Sequence, residues 1–155
     1  MYKTNAARIL DTHKIKYELI EYKVDEEDLS AVNVAAKLGQ NIKQVFKTLV
    51  VKGDKSGIFV CVVPGNAEID LKKAAKASGN KSAEMTAVKD IMKITGYIRG
   101  GCSPLAMKKD YPVFIDENCQ GFDFIYISAG IRGMQIKLNP ENLAEVLKAV
   151  VCELI

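Results

Sequence analysis

A lysine inside an apolar run is the residue whose position most suggests chemistry. Lys47 lies within VFKTLVV (45–51), whose Val and Phe content predicts a β-strand. Alternation places Lys47, Leu49 and Val51 on one face, and because both faces are apolar we predict a central strand. A buried ammonium needs a charge partner, loses its proton, or faces a cavity that binds something polar. The alternative is that the four-carbon stem of Lys47 carries the amine to the surface.

A second candidate for chemistry is the glycine-rich segment GYIRGGCSPLAMKK (96–109). Gly100 and Gly101 permit positive φ and close approach of a ligand to the backbone, while Pro104 stiffens the end of the loop. Such a loop can direct successive N–H groups at an anion or a carbonyl oxygen. The same residues are typical of a tight structural turn, so both interpretations stay open.

Cys102 and Ser103 in this segment are poor candidates for nucleophiles. The chain has one histidine, His13, predicted on the first helix, so neither side chain has an identifiable base. The four cysteines are widely spaced without a Cys-x-x-Cys pair, which argues against a zinc site and a disulfide framework. We therefore expect neither a metal nor a cofactor. The cysteines are Cys61, Cys102, Cys119 and Cys152.

The whole chain is typical of one soluble domain spanning residues 1–155. It is 48% hydrophobic and 26% charged, and its net charge of +3 permits a polyanionic partner without demanding one. Neither a signal peptide nor a membrane span is predicted, so we expect a cytoplasmic protein with no membrane or DNA partner. A group of lysines is interpreted either as a solvated face or as a rim that faces phosphates. These are Lys72, Lys73, Lys76, Lys81, Lys108 and Lys109.

The first half of the chain carries clear signals for the elements around Lys47. A helix is predicted at about 4–14 and a strand at Tyr17 to Tyr22; Ser30 is predicted to cap a helix that ends at Gly39. Two β-rich runs, 45–52 and 58–64, flank GDKSG (53–57). These runs predict a hairpin that pairs the Lys47 strand on at least one side.

In the second half, helices and strands do not alternate regularly. Asp70 is predicted to cap a helix that ends at Gly79, and Thr86 to cap one that ends at Gly96. Asn139 and Pro140 predict the start of the last helix. Strands are predicted at about 97–99, 112–116, 123–128 and 134–138, with GIRG (130–133) turning the last pair. About seven strands and five short helices predict an α+β fold with a mixed, partly closed sheet or barrel.

Four segments together resemble the YbaK family of bacterial aminoacyl-tRNA deacylases, related to the editing domain inserted in bacterial prolyl-tRNA synthetases. They are VFKTLVV, LKKAAKASG, TGYIRGGCSPL and ISAGIRG, and the resemblance covers about residues 4–150. The Lys-Thr pair, the Gly-x-x-x-Pro loop at 100–104 and the Ser-x-Gly-x-Arg-Gly turn at 128–133 follow the family's order and spacing. Within the family, the chain is most similar to free-standing proteins that hydrolyse Cys-tRNA(Pro).

The resemblance implies roles for particular residues. Lys47 is implied to be catalytic. The implied substrate-binding residues are Tyr22, Thr48, Gly100, Gly101, Cys102, Ser103, Pro104, Ser128 and Gly130. The chain departs from the family at Ala106, where many relatives have Gly, and at Asn142, where close relatives usually have Asp.

The resemblance also implies an activity, trans-editing of mischarged Cys-tRNA(Pro), with prolyl-tRNA synthetase as a partner in a complex with tRNA. No protein nucleophile is then needed, because the cysteinyl thiol attacks its own ester, or a positioned water attacks instead. Three alternatives stay open: a deacylase for Ala-tRNA(Pro) or another small mischarged residue, a non-catalytic tRNA or synthetase adaptor, and a small-metabolite binder.

Overall fold

The computed structural model describes residues 2–155, an α+β fold in which short helices flank two sheets. The five α-helices of these residues are α1 (Asn5–Thr12), α2 (Ala31–Leu38), α3 (Leu71–Ser78), α4 (Ile91–Thr95) and α5 (Pro140–Leu147). The strands are β1 (Tyr17–Glu21), β2 (Phe46–Gly53), β3 (Gly57–Pro64), β4 (Ala83–Met85), β5 (Val113–Asp116), β6 (Ile125–Ser128), β7 (Met134–Leu138) and β8 (Val150–Cys152). Within residues 2–155, every helix falls short of the length and apolarity that a membrane span requires. The predicted α+β class is confirmed.

The strands divide into an antiparallel sheet and a mixed sheet. The first has the order β1-β7-β6, and the second has the order β4-β2-β3-β5-β8, with β3, β5 and β8 parallel. One parallel bridge, from Val45 to Tyr126, connects the start of β2 to β6. Residues of both sheets line a cavity next to this bridge.

Lys47 lies on a central strand, as predicted. β2 pairs antiparallel with β3 along its whole length, with Lys47 opposite Val63. β4 pairs only with the last three residues of β2, Val51 to Gly53, so the half that carries Lys47 has no β4 neighbour. Phe46 packs into one hydrophobic cluster, while Leu49 and Val51 pack into the other, so both faces of the strand are buried.

Most predicted helix ends are confirmed. Thr4, Ser30, Asp70 and Asn139 each accept a backbone N–H hydrogen bond in the first turn of α1, α2, α3 and α5. These bonds satisfy donors that a helix start leaves unpaired. Gly39, Gly79 and Gly96 end α2, α3 and α4 in the left-handed conformation.

Two local predictions in the middle of the chain are wrong. Thr86 does not cap a helix, because its hydroxyl donates to the Val50 carbonyl at 3.1 Å and Ala87 precedes a short 3-10 helix. Residues 97–99 form a loop, since the Tyr97 N–H is bound by the Thr95 hydroxyl and a turn joins the Gly101 N–H to the Ile98 carbonyl. Local hydrogen bonds therefore override the β propensity of this segment.

Ala106, which stands where many members of the resembling family have Gly, has an unusual backbone conformation. Ala106 has a φ of 59°, in the left-handed region where a Cβ is disfavoured. We expect Ala106→Gly to raise the free energy of unfolding by about 1 kcal/mol, because the substitution removes this strain. In the control Ala87→Gly, where φ is −65°, the same change should lower stability. Chemical denaturation measures both; a less stable Ala106→Gly variant would contradict the strain.

Candidate active site between the two sheets

A cavity of about 330 Å³ lies between residues of the two sheets. One wall is the start of β2, from Val45 to Thr48, and the opposite wall is formed by β6 and β7. The mouth is bordered by the glycine-rich loop at Arg99 to Cys102 and by residues 22–30, which we call the entrance strap. The cavity therefore combines residues from segments far apart in sequence.

Lys47 places a cation in this cavity. Its side chain is partly buried, and within residues 2–155 its amine has neither a hydrogen bond nor an ion pair. Burial lowers the pKa of Lys47 from its ordinary value, and the charge of Glu68 opposes this shift. An amine without a protein partner at a cavity wall is available to hold an anionic or carbonyl oxygen of a ligand.

Thr48, the next residue, presents a polar atom without a partner. Its Oγ1 is inaccessible to solvent and is the only such buried side-chain atom in residues 2–155 with no hydrogen bond. Buried hydroxyls are almost always paired, and an unpaired one costs about 1–3 kcal/mol. The unpaired hydroxyl of Thr48 is therefore expected to lower the stability of the fold.

We expect Thr48→Val to raise stability. Valine keeps the shape and removes the unpaired hydroxyl, so the melting temperature should rise by about 2–4 °C. Thr86→Val is the matched control, since that hydroxyl is paired with the Val50 carbonyl and its loss should lower the melting temperature. Differential scanning calorimetry tests both variants; a lower melting temperature in Thr48→Val would show that the hydroxyl is satisfied.

The glycine-rich loop packs tightly against the turn between β6 and β7. Gly100 has a φ of 85°, and a Cβ at this position would lie 3.2 Å from Leu29 Cδ1. A Cβ on Gly101 would lie 3.2 Å from the backbone nitrogen of Arg132. Gly100 is thus required by conformation and Gly101 by close approach of two backbones.

The structure brings six of the residues implied by the resemblance to this cavity and places four elsewhere. Those that line it are Lys47, Tyr22, Thr48, Gly100, Cys102 and Ser128. Gly101 packs on the turn, and Ser103 is fully buried, its hydroxyl accepting a hydrogen bond from Leu105 N at 3.3 Å. Pro104 and Gly130 line other depressions. The Gly-x-x-x-Pro loop therefore contributes its first half to the cavity and its second half to the core.

Two polar residues of the cavity carry no signal in the sequence analysis. Arg99 adds a second cation at the mouth. Gln135 on β7 lies opposite Ser128 and exchanges two side-chain hydrogen bonds, of 2.8 and 3.1 Å, with Gln40. Gln135 is buried within an apolar strand, the same signal that identified Lys47.

Other groups considered for chemistry lie outside the cavity or are inert. Burial raises the pKa of the Cys102 thiol to about 11, so it stays protonated at neutral pH and is a weak nucleophile. His13 is exposed just after the end of α1, and Asn142 lies on α5; neither lines the cavity. The predicted lysine group does not border it either, and Lys73 pairs with Glu153 at 2.6 Å. Within residues 2–155 no three metal-ligating side chains converge.

Comparison with known proteins identifies a matching family and several relatives of this chain. Residues 25–146 match the model of the aminoacyl-tRNA editing domain. The chain is 49% identical to the Enterococcus faecalis protein named "Putative Cys-tRNA(Pro)/Cys-tRNA(Cys) deacylase EbsC", over 98% of this chain and 93% of that one. The matched region contains the whole cavity except Tyr22 at its edge.

More distant relatives extend the comparison. The chain is 30% identical to proline–tRNA ligase of Fervidobacterium nodosum, over 69% of this chain but only 19% of the ligase. A crystal structure described as a putative trans-editing enzyme for prolyl tRNA synthetase superimposes with a TM-score of 0.81 at 24% identity, covering 99% of this chain and 98% of that one. The last similarity is one of fold.

Proposed function

The chain belongs to the aminoacyl-tRNA editing domain family, and on this premise we propose that it removes cysteine from mischarged Cys-tRNA(Pro). The observation that carries the proposal is the partly buried amine of Lys47, which within residues 2–155 has neither a hydrogen bond nor an ion pair, in the wall of a cavity bordered by the glycine-rich loop. Together the amine and the backbone N–H groups of that loop offer a cation and hydrogen-bond donors to the ester end of an aminoacyl-tRNA. A cytoplasmic location follows from this substrate.

Lys47 acts by position and charge. Its ammonium binds the terminal phosphate and ribose region or the ester carbonyl, and amides of the Gly100 loop stabilise charge that develops on the carbonyl oxygen. Cys102 does not attack, because its thiol is protonated at neutral pH. The cavity has no histidine, so a base-assisted protein nucleophile has no support.

We propose that the substrate supplies its own nucleophile. The cysteinyl sulfur bonds to the ester carbonyl carbon, the bond from that carbon to the ribose oxygen breaks, and the thiol proton ends on the ribose oxygen. The products are intact tRNA and a cyclic thioester of cysteine. A positioned water is the alternative nucleophile, and it would release free cysteine directly.

The test is hydrolysis of three esters, Cys-tRNA(Pro), Ala-tRNA(Pro) and Ser-tRNA(Pro), with enzyme in excess. Cleavage of the cysteinyl ester alone supports thiol assistance, because serine has nearly the same size but a poorer nucleophile. Cleavage of all three supports an attacking water, and preference for alanine moves the chain to a deacylase for that residue. Tight binding without any cleavage would overturn the proposal in favour of an adaptor.

The choice of tRNA is proposed to come from a partner. The net charge of +3 supports only weak binding of tRNA by the chain alone. A complex with prolyl-tRNA synthetase would supply tRNA(Pro) and exclude Cys-tRNA(Cys). Sedimentation of the chain with synthetase and tRNA(Pro) tests for a ternary complex. Equal cleavage of both cysteinyl-tRNAs whether or not synthetase is present would contradict this role.

A further inference from the structure

Arg132, in the turn between β6 and β7, contacts both sides of the cavity mouth. Its Nε donates to the Arg99 carbonyl at 2.8 Å, in the glycine-rich loop. One terminal nitrogen donates to Glu26 Oε2 at 3.0 Å, in the entrance strap. Arg132 does not line the cavity itself. Its contacts therefore hold the segments that border the cavity, and its side chain is not expected to touch a ligand inside.

The backbone around Arg132 supports the same two segments. The Tyr22 N–H at the start of the strap donates to the Gly133 carbonyl at 2.9 Å. On the other side, Gly101 packs so closely that a Cβ there would approach Arg132 N. The turn is therefore a common base for the strap and the glycine-rich loop.

The two side-chain contacts differ in environment. Glu26 keeps 72% of its side chain exposed, so its ion pair with Arg132 holds the strap only weakly. The Nε–H bond to Arg99 is directed at a backbone carbonyl, and the planar guanidinium meets both acceptors at once. A lysine at this position has a single ammonium nitrogen and lacks this fork geometry.

We propose that Arg132 is a positioning residue that joins the entrance strap to the glycine-rich loop, and that the joined arrangement is the one that binds the aminoacyl ester. The role at the ester rests on the proposed function. Loss of Arg132 lowers the population of the binding-competent mouth. The apparent substrate affinity then falls by that fraction, while the chemical step is preserved once substrate is bound.

Amide hydrogen exchange on the full chain tests the positioning role without substrate. In Arg132→Gln, exchange should rise by about tenfold in residues 97–104, the scale of one lost hydrogen bond, and by a smaller factor in residues 22–30, whose ion pair with Arg132 is exposed. Exchange in β3 should stay unchanged. The control Arg8→Gln, at an exposed arginine on α1, should alter neither segment. A uniform rise across the molecule, or no rise at the mouth, would overturn the proposal.

Steady-state kinetics test the consequence for the reaction. Arg132→Gln should raise KM for Cys-tRNA(Pro) by about tenfold and leave kcat within twofold, because saturating substrate restores the arrangement in which the strap and the loop are joined. Glu26→Gln should raise KM less and increase exchange only in the strap. Arg132→Lys should restore the strap contact with Glu26 but leave the glycine-rich loop exposed to exchange. A fall in kcat with KM unchanged would overturn the proposal.

The two readouts separate this proposal from the proposed function. If the native chain cleaves no aminoacyl-tRNA, the proposed function fails, while hydrogen exchange still tests whether Arg132 joins the two segments. If the native chain cleaves Cys-tRNA(Pro) but Arg132→Gln changes neither exchange nor KM, only the role of Arg132 is overturned.

Discussion

Lys47→Ala is expected to reduce deacylation of Cys-tRNA(Pro) by about a hundredfold or more while leaving the fold intact. Removing a group that stabilises developing charge typically has an effect of this size. Single-turnover hydrolysis measures the loss, and circular dichroism checks the fold. Lys52→Ala is the matched control, because Lys52 is exposed on the same strand and lies outside the cavity. Full activity in Lys47→Ala would remove the central claim.

Burial of the Lys47 amine is expected to lower the stability of the folded state at neutral pH. Because burial lowers its pKa below the ordinary 10.5, the folded state binds this proton less tightly than the unfolded state does. The charged amine therefore opposes folding at neutral pH, and stability is regained as pH rises through the window between the lowered pKa and 10.5. Lys47→Met should match or exceed the native melting temperature.

The pH profile of deacylation should reflect the same lowered pKa of Lys47. If activity requires the ammonium, it should fall on the alkaline side at a lower pH than an ordinary lysine would give.

Gly100→Ala is expected to lower kcat/KM for Cys-tRNA(Pro) by about ten- to a hundredfold. Alanine is strained at a φ of 85°, and its Cβ would lie 3.2 Å from Leu29 Cδ1 and 3.3 Å from Arg132 Nε, so the loop that borders the cavity must shift. Stability should fall by about 1–2 kcal/mol.

The control for this substitution is Gly121→Ala. A Cβ there meets no atom within 4 Å and φ is not in the left-handed region, so activity should stay native. Kinetics at saturating and limiting substrate, with denaturation of each variant, measure the effects. Native kcat/KM in Gly100→Ala would show that this loop conformation is not needed for catalysis.

The sequence was sufficient to predict helices whose ends are set by residues within one helical turn. Ser30 and Gly39 delimit α2 because a cap hydroxyl and a left-handed glycine act within one turn. β8 and β4 were missed because a three-residue strand has little propensity of its own. β8 forms by pairing with β5, far away in the chain. The two-sheet arrangement likewise depends on contacts that no short segment encodes.

For the candidate site, the position of a charged residue within an apolar strand predicted that Lys47 could face a cavity. In the structure Lys47 lines a cavity wall. The same reasoning applies to Gln135, but its partner Gln40 lies 95 residues away, so the amide pair has no local pattern. Arg99 lies within the glycine-rich segment, directly before Gly100, but no pattern distinguishes its side chain, and it joins the site only through the fold of its loop. Residues that act through distant partners are therefore the ones that sequence reasoning misses.

The bridge between Val45 and Tyr126 ties the two sheets together beside the cavity, since Val45 also lines it. Ile127 belongs to the hydrophobic core and also lines the cavity, whereas Ile125 and Leu138 belong to the same core cluster without lining it. Close-packed cores transmit volume changes to their surroundings. We therefore expect substitutions at Ile125 or Leu138 to change the shape of the cavity although neither side chain lines it.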